Sequence, residues 1–151
     1  MNSYINEISN LIIKVSQILG EEITEINFQI IDRVIPHESP TVLPRGKTAV
    51  YIFYCPNEEC FLKIGKVGAK SQARFTSQHY NPESAKSNLA SSLLNDNEMK
   101  LKYNLNNDNI KNWIKQNCRR IDILFDVKLG KFANELCESI LHYKYEPRYE
   151  G

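Results

Sequence analysis

The feature of the sequence that most constrains the fold is a pair of apolar runs around one turn, between residues 49 and 67. In the first run, AVYIFYC, apolar and aromatic residues fill both sets of alternating positions, which is typical of a strand buried on both faces. The turn is PNEE, and a second run, FLKIGK, begins at Phe61. The pattern therefore predicts a β-hairpin in the interior of the protein.

Hydrophobic spacing also predicts the elements that surround this hairpin. A helix capped by Ser3 is expected to end at Gly20, and a strand is expected within residues 23–35, before a proline-rich loop. A third core strand is expected at residues 120–128, where apolar and polar residues alternate. Helices are expected at residues 70–78, 83–94, 109–117 and 132–145, with a surface loop rich in Asn and Asp at 95–109.

These elements predict an α/β (α+β) fold, in which helices pack on a small, mainly antiparallel three-stranded sheet. The strands of that sheet are residues 48–55, 61–66 and 120–128. Residues 1–47 are predicted to be an N-terminal helix-and-strand extension, separate from a main domain at residues 48–151. The extension would lengthen the sheet, form a homodimer or bind a protein partner.

Composition places the chain among ordinary single domains, since it has 151 residues of which 42% are hydrophobic. No apolar run approaches the ~20 residues that span a membrane, and the N-terminus does not resemble a secretory signal. We therefore expect a cytoplasmic protein without a membrane partner. Its cysteines match no CxxC pair and are expected to be reduced; the alternative is a zinc site made by Cys55, Cys60, Cys137 and His142.

Basic residues are concentrated in one part of a chain whose net charge is only +1. Between residues 61 and 86 there are five basic residues and one acid, Glu83. Such a patch is able to meet a phosphate backbone, and a solvated surface is the alternative. The basic residues are Lys63, Lys66, Lys70, Arg74 and Lys86.

Four short motifs occur in an order that resembles one nuclease superfamily. Ala-Val-Tyr ends at Tyr51, Lys-Ile-Gly ends at Gly65, and Arg74 stands in ARFTSQHY. Glu138 opens ESILHYKYEPRYEG, nine residues before Pro147. Together these motifs resemble the GIY-YIG nuclease superfamily over residues 48–151.

The resemblance implies a divalent-metal-dependent endonuclease that hydrolyses phosphodiester bonds, in DNA rather than RNA. Glu138 would hold the metal, Mg²⁺ or Mn²⁺, while Tyr51 orients water or accepts its proton and Arg74 binds the phosphate. Lys63, Gly65 and His79 would complete the catalytic set. Nucleic acid would also be bound by three further lysines, Lys66, Lys70 and Lys86.

Three positions depart from the superfamily's pattern. Lys63 stands where a tyrosine is usual, although some branches of the superfamily also carry Lys-Ile-Gly. His79 follows Arg74 by five positions instead of four, so it reaches the site only if the helix ends or bends there, and Tyr80 is its rival. Glu150 replaces a closing asparagine. The alternative function is therefore a nucleic-acid-binding module that has lost cleavage.

Overall fold

A single four-stranded antiparallel sheet organises the protein, whose computed structural model describes residues 3–20, 23–24 and 27–150. The strand order is β1-β4-β2-β3, so β2 lies inside the sheet and pairs on both sides. This position explains why β2 is apolar at nearly every residue. The strands are β1 (Phe28–Arg33), β2 (Lys47–Cys55), β3 (Cys60–Val67) and β4 (Arg119–Asp126).

Helices cover both faces of this sheet. On one face, Tyr51 and Phe53 of β2 pack in a core with the shorter central helices; on the other, Val50 and Ile52 pack with the first and last helices. No helix within the described residues is both long enough and apolar enough to cross a membrane. The helices are α1 (Ser3–Ile18), α2 (Gln72–Thr76), α3 (Leu89–Asn95), α4 (Asn97–Lys102), α5 (Ile110–Asn117) and α6 (Lys131–Tyr145).

The mixed fold class and the central hairpin are confirmed, but the expected count of three strands is wrong. β1 adds a fourth strand because it pairs with β4 along its whole length, from Phe28 opposite Phe125 to Arg33 opposite Arg120. The strand expected at residues 23–35 is shorter than predicted, and residues 25–26 lie outside the described residues. Part of the N-terminal extension therefore belongs to the same sheet as the hairpin.

Two predictions about the central helices are also corrected. The helix expected from residue 83 begins only at α3, because Ser87 has a left-handed backbone (φ 64°) and the side chain of Asn88 accepts a hydrogen bond of 2.7 Å from the Ser91 N–H. The expected loop at 95–109 contains α4, which is capped by Asp96 and buries Met99. The stabilisation that α4 gains from burying Met99 and from its Asp96 cap exceeds the cost of the low helix propensity of the polar residues in that segment.

The outer edge of β3 is covered by α6 and by the segment after it. The side chains of Asn134 and His142 donate hydrogen bonds to the carbonyls of Val67 and Ile64, at 3.3 and 2.7 Å. Backbone N–H groups of residues 148 and 149 donate to two further carbonyls of β3. Glu138 lies between Asn134 and His142 at helical spacing, so the same face of α6 carries it along this edge.

Candidate active site

The side chain of Tyr51 lies over Gly65, its partner across the β2–β3 hairpin. Tyr51 is fully buried, and a Cβ atom added to Gly65 would lie 2.5 Å from Tyr51 Cζ, closer than any packed side chain allows. Glycine is therefore required in the middle of β3 so that the tyrosine ring can lie there. In this arrangement Gly65 positions Tyr51.

Arg74 of α2 donates a hydrogen bond of 3.1 Å from Nη2 to the hydroxyl oxygen of Tyr51. In this contact the hydroxyl oxygen of Tyr51 is the acceptor, so its hydrogen can still be donated to another partner. The other N–H groups of the Arg74 guanidinium can also donate. Burial raises the pKa of Tyr51, while the positive charges of Arg74 and Arg120 act in the opposite direction. Its hydroxyl is therefore protonated in the free protein.

His79 is brought against Tyr51 because α2 ends at Thr76 and a 3₁₀ turn follows at residues 78–80. The centres of the two rings are 4.3 Å apart. Nδ1 accepts a hydrogen bond of 3.3 Å from the Leu89 N–H, so the neutral ring carries its hydrogen on Nε2, which finds no partner among the described residues. Burial lowers the pKa of His79 well below its ordinary value, and Arg120, Arg74 and Lys63 add to this effect.

Tyr80, the rival of His79, belongs to a different group of side chains. Its hydroxyl accepts a hydrogen bond from Arg120 at 3.2 Å and lies 2.8 Å from His37 Nε2. Because α2 ends at Thr76, the side chain of His79 faces Tyr51 and the side chain of Tyr80 faces the buried Arg120.

Lys63 is almost completely buried, with 1% of its surface exposed. Its Nζ donates a hydrogen bond of 3.1 Å to Ser87 Oγ, in the exposed loop before α3. Burial lowers the pKa of Lys63; Arg74 lowers it further, and Glu138 raises it. Lys63 therefore shares the electrostatic environment of both Arg74 and Glu138.

Glu138 reaches the same region from α6. Its carboxylate forms an ion pair of 3.0 Å with Lys66 Nζ, and both side chains are partly exposed. The charge of Glu138 also acts on Tyr51, whose pKa it raises. The structure thus brings all six predicted catalytic residues into one region, which we call the Tyr51 cluster: Tyr51, Lys63, Gly65, Arg74, His79 and Glu138.

The predicted binding lysines are divided between two settings. Lys66 is held by Glu138, whereas Lys70 and Lys86 are exposed on loops on either side of α2. Glu150 lies at the surface beside Arg148 and Asp96, around a shallow depression near the end of the chain.

The Tyr51 cluster offers one carboxylate, that of Glu138, as a possible ligand for a divalent metal. Magnesium is commonly held by one or two carboxylates and keeps several waters, and Glu138 offers one partly exposed carboxylate. The zinc alternative receives no support, because no three side chains of His, Cys, Asp or Glu come together as ligands within the described residues. A single carboxylate also means that the protein alone does not complete a metal site.

Arg120 and Asp122, which the sequence pattern did not predict as site residues, lie fully buried beneath the cluster. Arg120 donates hydrogen bonds to Asp122 at 2.9 Å and to the Phe75 carbonyl at 2.7 Å. Its guanidinium lies 5.9 Å from the centre of the Tyr51 ring. The available signal was a pair of opposite charges two residues apart in an apolar strand, a spacing that points both to one face.

Comparison of the chain with protein-family models, with curated proteins and with solved structures found no match. The function is therefore inferred from the geometry of the Tyr51 cluster.

Proposed function

We propose that the protein is a divalent-metal-dependent endonuclease of the GIY-YIG type, which hydrolyses phosphodiester bonds in nucleic acid, DNA in preference to RNA. The observation that carries this proposal is the contact of Tyr51 with both Gly65 and Arg74. A buried aromatic residue needs only apolar neighbours. A tyrosine hydroxyl bonded to a half-buried arginine, beside a buried lysine and a carboxylate, is instead a set of groups suited to phosphate chemistry.

In the proposed reaction, Arg74 binds the scissile phosphate through the N–H groups that Tyr51 does not use. A planar, permanently charged fork stabilises the charge that develops on phosphate oxygens as the bond breaks. Lys63 adds a second positive charge from the strand. Both residues would act mainly in the transition state, so their loss would reduce the rate more than the affinity.

Tyr51 would orient the attacking water through its hydroxyl, and the proton of that water would pass to bulk solvent. Its raised pKa makes the phenol a weak acid, so the hydroxyl is protonated before substrate binds and acts by hydrogen bonding. The positive charges of Arg74 and Arg120 oppose the effect of burial on this pKa without reversing it, so Tyr51 keeps its proton. His79, neutral and with its hydrogen on Nε2, holds the ring of Tyr51 in place.

Glu138 is the residue that would hold the divalent metal, which supplies a positive charge to the phosphate when it is bound. The ion pair with Lys66 must then open, which leaves the Lys66 ammonium free for a phosphate oxygen. Because both side chains are partly exposed, this exchange costs little: exposed ion pairs contribute about 0–1 kcal/mol.

A nucleic-acid-binding module without cleavage is the second candidate. It is favoured by the same ion pair, since Lys66 already neutralises the one carboxylate of the cluster. Binding alone would use Lys66, Lys70 and Lys86 and would not require the hydrogen bond between Tyr51 and Arg74.

Nicking of supercoiled plasmid DNA, and cleavage of a structured RNA, would separate these candidates. We expect nicking with Mg²⁺ or Mn²⁺ and none with EDTA. Glu138→Gln should lower the rate at least about 100-fold, because it removes the charged ligand without changing the size of the side chain. Glu7→Gln is the matched control, since it also breaks a partly exposed lysine–glutamate pair, which Glu7 of α1 forms with Lys144 of α6.

Tyr51→Phe, assayed in the same way, removes one hydroxyl from the cluster and keeps the ring. We expect a loss of rate of about 100-fold or more with little change in DNA affinity. Tyr54→Phe makes the same change on the same strand, outside the cluster, and should cut normally. DNA binding without cleavage under any metal condition would contradict the endonuclease and favour the binding module.

A further inference from the structure

A cleft of about 440 Å³ adjoins the Tyr51 cluster at the start of α6. It lies between the beginning of β2, the end of β3 and the first turn of the helix. Lys66 belongs to both regions, because it lines the cleft and also pairs with Glu138. The residues that matter for its chemistry are Thr48, Lys66, Ser71, Lys131, Asn134 and Glu135.

Positive charge collects in this cleft from three sources. α6 has 15 residues, and neither a side-chain cap nor an acidic residue compensates the N–H groups of its first turn, where the Ala133 N–H donates a long hydrogen bond of 3.4 Å to the Gly130 carbonyl. Lys131 is the first residue of the helix, where a cation is unfavourable unless an anion lies nearby. Lys66 adds a further charge from β3. Against these stand two acids, Glu135, one turn into the helix, and Glu138, which pairs with Lys66.

Two buried polar atoms in the walls of the cleft have no hydrogen-bond partner among the described residues, although the amide nitrogen of Asn134 does donate to the Val67 carbonyl. Thr48 is 8% exposed and Asn134 is 4% exposed, and within the described part of the chain neither Thr48 Oγ1 nor Asn134 Oδ1 has a hydrogen-bond partner. A buried polar group left unsatisfied costs about 1–3 kcal/mol, so a water or a ligand that reached these two atoms would stabilise the cleft.

The chemistry of these groups selects an anion. The Thr48 hydroxyl and the N–H groups of the helix can donate to phosphate oxygens, as can the ammonium groups of Lys66 and Lys131. Asn134 Oδ1 only accepts, so it requires a hydroxyl or a water that accompanies the anion. A metal cation is disfavoured by both lysines and by the helix N-terminus.

We infer that this cleft binds a phosphate group of the nucleic-acid backbone, next to the phosphate taken by the Tyr51 cluster. The inference rests on the proposed function for the identity of the strand, but the phosphate site itself can be tested without cleavage. Lys66 would link the two phosphates, since it lines the cleft and reaches the carboxylate of Glu138.

The first measurement uses inorganic phosphate as the probe. The isotope-labelled full chain is titrated at constant ionic strength, with chloride as the balancing anion, and followed by amide chemical shifts. We expect saturable shifts at residues 131–133, and an affinity at least about fivefold lower in Lys131→Gln. Lys128→Gln, which changes the same charge on an exposed residue three positions earlier, should bind phosphate normally.

Thr48→Val keeps the charge and tests the buried hydroxyl alone. We expect weaker phosphate binding together with equal or greater stability, because a methyl group replaces an unsatisfied buried hydroxyl. Weak, unsaturated shifts spread over many lysines would overturn the site, and so would normal phosphate binding in both Lys131→Gln and Thr48→Val.

The second measurement compares the affinity of the same variants for a short DNA duplex. We expect Lys131→Gln and Thr48→Val to bind less tightly than Lys128→Gln, and the log–log salt slope of Lys131→Gln to be smaller by about 0.9. Phosphate binding with unchanged duplex affinity would overturn the assignment to the backbone. Because neither measurement uses cleavage, a failure of the cleft is distinguishable from a failure of the proposed endonuclease.

Discussion

Tyr51 and Gly65 depend on each other in the candidate site. The tyrosine ring occupies the space that a Cβ of residue 65 would need, and Arg74 then binds the hydroxyl. Gly65 could instead allow substrate to approach the backbone closely. This role suits the geometry less well, because the ring of Tyr51 already covers Gly65. The glycine thus acts through the position of the phenol.

Gly65→Ala should displace Tyr51 and break its hydrogen bond with Arg74. We expect a loss of about 1–3 kcal/mol in the free energy of unfolding, typical of an overpacked core, and a large loss of cleavage rate. Urea unfolding and single-turnover cleavage measure the two effects. Gly68→Ala is the matched control, since a Cβ there meets nothing within 4 Å; equal behaviour of the two variants would contradict the role of Gly65.

Among the elements, α3 and the loop before it hold two residues of the Tyr51 cluster in place. The loop brings Ser87 to Lys63, and the first N–H of α3, from Leu89, binds His79. Asn88 holds this junction by two hydrogen bonds, accepting from the Ser91 N–H and donating to the Ala85 carbonyl. The start of one short helix therefore positions two members of the Tyr51 cluster.

Asn88→Ala should lower the free energy of unfolding by about 1 kcal/mol, the usual contribution of a helix N-cap. We also expect slower cleavage, because Lys63 and His79 lose part of their support. Asn95→Ala, at the exposed other end of the same helix, should change stability by no more than about 0.5 kcal/mol. If the two variants unfold at the same urea concentration, the cap does not stabilise this junction.

At the scale of the whole molecule, two buried histidines make stability depend on pH. Burial lowers the pKa of both His37 and His79 from the ordinary histidine value. The unfolded chain therefore binds more protons than the folded protein once the pH falls below about 6.5. Stability from these residues is complete above that pH and decreases as the pH falls below it.

Urea unfolding between about pH 7.5 and about pH 5.5 should show this decrease, with a slope of up to about 1.4 kcal/mol per pH unit for each histidine. His79→Gln removes one titrating group and can still accept the Leu89 N–H, so its stability should depend less steeply on pH. Parallel pH dependences of wild type and variant would show that His79 binds its proton equally in both states.

The sequence by itself determined the elements whose signals are local. The hairpin of β2 and β3, the strand β4 and the helix α6 follow from apolar periodicity and turn residues within a few positions of one another. The order of the tyrosine, glycine, arginine and glutamate motifs also selected the residues that meet in the Tyr51 cluster. These predictions needed no knowledge of which segments pair.

Only the tertiary structure decided the contacts between distant segments. β1 joins the sheet because an edge of β4 is available to it, and His79, not Tyr80, faces Tyr51 because α2 ends early. Lys66 meets Glu138 across 72 positions of sequence, and Thr48 and Asn134 line one cleft because α6 packs along β3. Periodicity specifies which face of an element is buried, but it carries no information about the partner, since any apolar face of suitable shape satisfies it. The partner is chosen by packing and hydrogen bonding throughout the folded chain.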